Sequence, residues 1–364
     1  MKIFGIFRGF PGLGRVVSGV AILDSLRKEG HEVKAYSYLQ GKKVLEDYNI
    51  EKIMEEEPIC PHIMIIGLNP ISKEMGNLIE KILKEKPDLV IIDGEPLLTS
   101  TLSYVFPREK IISFLNPTDI ENLSLPLSSI LFYRKHYLSA KNVFVHGINV
   151  PEFFKFEKEY SCNIKNVNTI LRNEILNLSG KIEGKKIIGI LGGGCSQSSN
   201  NFFDSTVKMG KTIIKLASVL SKENFIIYCN DKLIKKKIGK NLPLNVEIED
   251  KYTNPIKMYK EAKLVLCRAG RNTVSELLYL GIPALLFASK GDFRSNEQEK
   301  NINVVCSLSN HNIEKISITA SKEDLIKKVN KVINHGIIRN NFIPGNKIIL
   351  NYIKDILENK NYDN

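Results

Sequence analysis

The sequence predicts an α/β protein of two doubly wound, Rossmann-like domains in series, facing a ligand cleft. Three observations predict it. Apolar runs of strand length alternate with helical stretches from the first residues onward. The alternation is interrupted once, over residues 147–184, and then begins again. Each half also opens with a strand that runs directly into a glycine-rich loop. Nearly continuous apolar strands separated by helices form parallel sheets covered on both faces, and 364 residues exceed what one core usually organises.

The first half reads as a strand Ile3 to Phe7, a helix Val16 to Glu29 and a strand Glu32 to Tyr38. A strand Ile63 to Ile66, a helix Lys73 to Lys86, and strands Leu89 to Ile92 and Ile111 to Phe114 follow. The second half reads as a strand Lys186 to Leu191, a helix near Val207 to Leu220, and strands Phe225 to Cys229 and Leu264 to Cys267. It continues with a helix Thr273 to Leu280 and a strand Ala284 to Phe287. The expected boundaries are a first domain over 1–150, a linker over 151–184, a second domain over 185–345, and a C-terminal segment over 346–364. The helix in that last segment can pack back on the first domain.

Composition narrows the class. Hydrophobic residues at 43% and charged residues at 25% are those of a folded globular protein rather than a disordered one. The net charge of +12 lies almost wholly after residue 160 and would attract phosphate, whether of a nucleotide, a nucleic acid or a membrane surface. Solvated lysine-rich helix faces such as 232–240 account for part of it. No signal peptide or membrane span is legible, so a cytoplasmic protein is expected. Cys60, Cys162, Cys195, Cys229, Cys267 and Cys306 show no CxxC pairing and are expected to be reduced. No RNA-binding aromatic motif and no Trp accompany the dispersed lysines, so nucleic acid is not an expected partner.

Three loops carry chemistry. The first strand ends in Arg8-Gly9-Phe10-Pro11-Gly12-Leu13-Gly14-Arg15 and leads into a helix, whose free N–H groups can meet an anion. Its glycine spacing is not GxGxxG and no acidic residue ends the second strand, which argues against a nicotinamide dinucleotide. Gly192-Gly193-Gly194 and Ser196 repeat the device in the second half, without the lysine of a P-loop. The third segment holds Arg268-Ala269-Gly270-Arg271-Asn272-Thr273, then Glu276 one turn into a helix, Gly281-Ile282-Pro283, and Asn296-Glu297-Gln298. A helix tip at Gly270, a carboxylate at Glu276 and an amide at Gln298 are spaced for one bound nucleotide-sugar.

This segment resembles the C-terminal signature of the GT-B glycosyltransferases related to the peptidoglycan N-acetylglucosaminyltransferase. The matching pieces are Arg268-Ala269-Gly270, Thr273 to Glu276, Gly281 to Pro283, and Gln298 to Asn301. Gly12-Leu13-Gly14, Gly192 to Gln197 and the stretch Pro87 to Pro96 match more loosely. The resemblance implies that Glu276 binds the ribose, that Gly270, Arg271, Asn272 and Thr273 hold the diphosphate, and that Gln298 touches the donor sugar. Gly193, Gly194, Ser196 and Arg268 complete the implied donor site, and Gly12, Gly14 and Arg15 the acceptor side. The implied donor is a UDP-sugar, and the acceptor is left open, with a lipid-linked one and peripheral membrane contact compatible.

One departure matters. Where relatives commonly carry His after the first glycine pair, this chain has Arg15, which cannot act as a general base. The base is then expected from Asp93 or Asp119, which follow strand ends. No metal or cofactor is expected, because no DxD element stands at a strand end and the helix dipole with Arg268 and Arg271 can serve instead. Hydrolysis or epimerisation of a UDP-sugar stays open as an alternative reaction, and a nucleic-acid or anionic-membrane binding protein as a remoter one.

Overall fold

The computed structural model describes every residue except 11, 57–73, 123–124, 149, 179, 192–199, 250–254, 290–294, 309–311, 339–340 and 360–364. The chain divides into two units, one of Met1–Ile170 with Pro344–Asn364, the other of Leu171–Ile343.

The first unit holds a seven-stranded sheet of β1 (Lys2–Phe7), β2 (Glu32–Tyr36), β3 (Glu51–Lys52), β4 (Leu89–Asp93), β5 (Ile111–Leu115), β6 (Asn142–Gly147) and β7 (Asn163–Asn168). Their spatial order is β3-β2-β1-β4-β5-β6-β7, with parallel pairing throughout. Alternate side chains of β1 enter two different cores. Ile3 and Phe7 pack beneath the helix Gly14–Lys28, whereas Phe4 and Ile6 join Leu78, Ile82, Leu98 and Leu102 on the other face, as a period of two requires. The Phe7 ring needs two glycines: a β-carbon on Gly5 or Gly19 would sit 2.5 Å and 2.3 Å from it.

Residues 151–184, expected as a linker, instead supply β7, a helix Lys155–Tyr160 and a short helix Asn173–Leu176. Strand β7 pairs along β6 from Asn163 to Asn168, and its Asn-rich sequence hides it because this edge strand buries only Ile164 and Val167. The helix Asn346–Asn359 belongs to this unit too: Ile349, Ile353 and Leu357, four apart, join the core of Ile3 and Phe7.

The second unit holds β8 (Lys186–Ile190), β9 (Phe225–Tyr228), β10 (Val246–Glu249), β11 (Ala262–Arg268), β12 (Ala284–Phe287) and β13 (Ile313–Lys315). Their order is β10-β9-β8-β11-β12-β13, again parallel. Leu264 and Leu266 of β11 pack with Ile187, Ile213 and Val329 of one core. In both sheets the order reverses beside the first strand, at β1/β4 and β8/β11, and ligands of such sheets gather at the carboxyl ends of the strands there.

Candidate functional site

In the second unit, β11 ends in Arg268 and its chain turns through Ala269 and Gly270 into the helix Arg271–Leu280. Gly270 is the N-cap and has no side chain to offer the first N–H groups. It is exposed, and a β-carbon built there would find nothing within 4 Å. The first turn of a helix leaves its N–H groups without intrahelical acceptors, and the dipole adds partial positive charge, so this tip suits an anion. Arg271 is buried with its Nε 3.3 Å from Asn272 Oδ1, while Asn272 and Thr273 are half-buried beside the tip.

The helix Ser295–Ser307 fastens the turn. Asn301 Nδ2 donates to the Ala269 carbonyl at 2.9 Å, and Gln298 Oε1 accepts from the Ser289 amide at 2.7 Å. Three residues apart on one helix face, these two side chains hold the loops that leave β11 and β12. Arg268 is likewise engaged: its guanidinium lies 3.9 Å over the Phe202 ring and donates to the Phe202 carbonyl and to Thr206 Oγ1. It thus ties the end of β11 to the helix Asn200–Val219.

Glu276 lies one turn and a half into its helix and is only 2% exposed. Arg172 donates from Nε to Oε1 and from Nη2 to Oε2, each at 2.7 Å, and Tyr259 Oη donates to Oε2 at 2.8 Å. The carboxylate expected to meet a ribose is therefore already met by a guanidinium fork. Glu276 also helps burial to push the neighbouring Cys267 thiol up, with desolvation the larger cause. Gly193, Gly194 and Ser196 lie outside the described residues.

In the first unit, Gly12 precedes the helix Gly14–Lys28, whose first residue is Gly14 and whose start carries no side-chain cap. Arg15 reaches from that helix to two carboxylates. Its Nη1 pairs with Asp93 at the end of β4, and its Nη2 donates to both oxygens of Asp119, at 2.7 and 2.9 Å. Burial opposes the Arg15 charge, but Asp119 and Asp93 outweigh it and raise its pKa well above the ordinary guanidinium value. Asp119 also caps its own short helix through the Asn116 amide. His146 Nε2 lies 3.9 Å from Asp93 Oδ2, and its Nδ1 accepts from the Ile170 amide at 3.4 Å. Tyr38 Oη donates to Glu95 at 2.6 Å, and Arg8 Nε stands 3.9 Å from the same carboxylate. Gly94, at φ +87°, has room for no β-carbon, which would meet Arg15 Cδ at 2.6 Å and Arg8 Cβ at 2.8 Å.

Residues 188–340 match the model of the glycosyltransferase family 28 C-terminal domain. A curated relative from Rickettsia canadensis is the UDP-N-acetylglucosamine–N-acetylmuramyl-(pentapeptide) pyrophosphoryl-undecaprenol N-acetylglucosamine transferase. It is 25% identical over 98% of this chain and all of its own length. The crystal structure of Acinetobacter baumannii MurG superposes with a TM-score of 0.59 at 15% identity, over 98% of this chain and 100% of that one. The chain is a glycosyltransferase with the GT-B fold. The same fold also serves a structure described as a putative UDP-N-acetylglucosamine 2-epimerase from Listeria monocytogenes, with a TM-score of 0.65 at 14% identity over 99% and 97% of the chains.

In this glycosyltransferase the structure brings Gly270, Arg271, Asn272, Thr273 and Glu276 together on one helix, with Gln298 and Arg268 bracing the loops around it. It brings Arg15, Asp93 and Asp119 together in the first unit. Sequence reasoning missed Arg172 and Tyr259. Arg172 sits in the segment expected as linker, and Tyr259 in a helix whose partner is 17 residues away, so no local pattern announces either.

Proposed function

We propose that this glycosyltransferase moves a hexose or N-acetylhexosamine from a UDP-sugar onto an acceptor hydroxyl, with inversion and without a metal. The observation that carries the reading is the uncapped helix tip at Gly270 with Glu276 on the same helix, set within the family 28 domain. The tip receives the diphosphate and stabilises the charge that grows on it as the glycosidic bond breaks. Glu276 accepts the ribose hydroxyls once Arg172 turns aside.

The acceptor oxygen needs a base. Asp93 and Asp119 both pair with Arg15, but Asp93 is fully buried, whereas the Asp119 side chain keeps 12% exposure. A group must touch the hydroxyl it deprotonates, so Asp119 is the base and Asp93 positions Arg15. The acceptor is lipid-linked and the contact with the membrane peripheral. No described helix is long and apolar enough to cross a membrane. The helices Pro96–Val105 and Leu127–Tyr137 nevertheless present Tyr104, Leu127, Leu131 and Phe132 to solvent, with Arg134 and Lys135 alongside, a composition suited to an anionic lipid surface.

Product analysis with labelled UDP-N-acetylglucosamine tests the reading. Transfer that requires a membrane lipid extract is the expected result. Free sugar or a rearranged UDP-sugar formed without any acceptor would identify a hydrolase or an epimerase instead.

A further inference from the structure

We propose that Arg172 is an internal occupant of the ribose-binding carboxylate, so that the Arg172–Glu276 pair and the donor's ribose exclude one another. The inference rests on the reading of Glu276 as the ribose acceptor given under Proposed function.

Arg172 presents two parallel N–H groups, from Nε and Nη2, to the two oxygens of Glu276 at 2.7 Å each. A vicinal diol presents two O–H groups to a carboxylate in the same manner. The guanidinium therefore satisfies the acceptor pair that the ribose would otherwise use. A carboxylate offers about four lone-pair positions, and Arg172 with Tyr259 takes three of them, so both hydroxyls cannot be added while Arg172 stays. Of the two donors, Tyr259 is fully buried and Arg172 is 9% exposed, above a carboxylate at 2%. Arg172 is the one that can leave, and Tyr259 stays to orient the carboxylate.

Two consequences follow for the donor. A nucleotide with both ribose hydroxyls exchanges one bidentate set of charge-assisted hydrogen bonds for another, while a nucleotide that lacks them leaves Arg172 in place and gains nothing from Glu276. In the empty enzyme the pair also spares a buried carboxylate the cost of standing unmatched. Arg172 is thus a specificity residue that acts through Glu276 and sets how much of the ribose interaction appears as affinity.

Calorimetric titration of UDP and of 2′,3′-dideoxy-UDP into the wild type and Arg172→Gln tests the proposal, with a thermal melt of each protein to establish folding. UDP is expected to bind Arg172→Gln about tenfold more tightly than the wild type, the worth of one charged hydrogen bond, while dideoxy-UDP binds both equally. Unchanged or weaker binding of UDP to Arg172→Gln overturns the occupant role and leaves the donor reading standing. Equal binding of UDP and dideoxy-UDP in both proteins overturns the ribose reading itself. Should Arg172→Gln fail to fold, the wild type labelled with ¹⁵N-arginine supplies the test, with the Nε–H resonance assigned through Arg172→Lys. That resonance is expected to move on saturation with UDP and to stay with dideoxy-UDP, and a resonance unmoved by UDP overturns the proposal.

Discussion

Arg15, on the first turn of the helix Gly14–Lys28, is ion-paired with Asp93 at the end of β4, and the Asp93 side chain is fully buried. The pair links two elements 78 residues apart in sequence at the reversal point of the first sheet. Removing Arg15 leaves Asp93 buried without this cation, a change that typically costs about 3–5 kcal/mol. Arg15→Ala is expected to lower the urea unfolding midpoint strongly, and Arg15→Leu with Asp93→Leu to recover much of the loss. A midpoint unchanged in Arg15→Ala contradicts the assignment.

Asn301 braces the Gly270 turn by one hydrogen bond to the Ala269 carbonyl. Asn301→Ala is expected to cost about 1 kcal/mol of stability and to weaken UDP binding severalfold, because the helix tip is no longer held. Denaturation and titration on one preparation separate the two effects.

The exposed apolar side chains of the helix Leu127–Tyr137 are expected to bind anionic vesicles. Leu127→Ser combined with Phe132→Ser should abolish sedimentation with phosphatidylglycerol vesicles while leaving UDP affinity unchanged, since the proposed UDP site lies in the other unit.

Burial, with Glu157 adding to it, pushes the Cys162 thiol from its ordinary 9.0 up to about 11. A thiol with a raised folded pKa ionises first in the unfolded chain, so its contribution is complete below about 9 and is lost as pH rises through about 11. Stability is expected to fall over that window, and Cys162→Ala to flatten the fall, as read from thermal melts between pH 8 and 11.

Much of this was legible in the sequence. The alternation of apolar strands and helices marked both sheets, because a parallel strand covered on two faces must be apolar at nearly every position, as Leu89 to Ile92 are. The segment from Arg268 to Asn301 was legible as a motif because its four pieces follow one another in a single short stretch of sequence. Strand β7 was not, since Asn163, Asn166 and Asn168 at a sheet edge read as loop. Side-chain direction was also hidden. Arg268 carries the charge expected of a phosphate ligand, yet Phe202 and Thr206 draw it to a neighbouring helix, and Arg172 meets Glu276 across 104 residues.

Turnover of labelled UDP-N-acetylglucosamine by Glu276→Ala, at donor concentrations below KM, tests the central claim most directly. At least a tenfold loss in kcat/KM is expected, measured at a temperature where the melting curve shows the variant folded, because the proposed ribose carboxylate is removed; the melting point itself is expected to fall, since Arg172 loses its buried partner. Undiminished turnover at low donor concentration would contradict the placement of the nucleotide on the helix Arg271–Leu280.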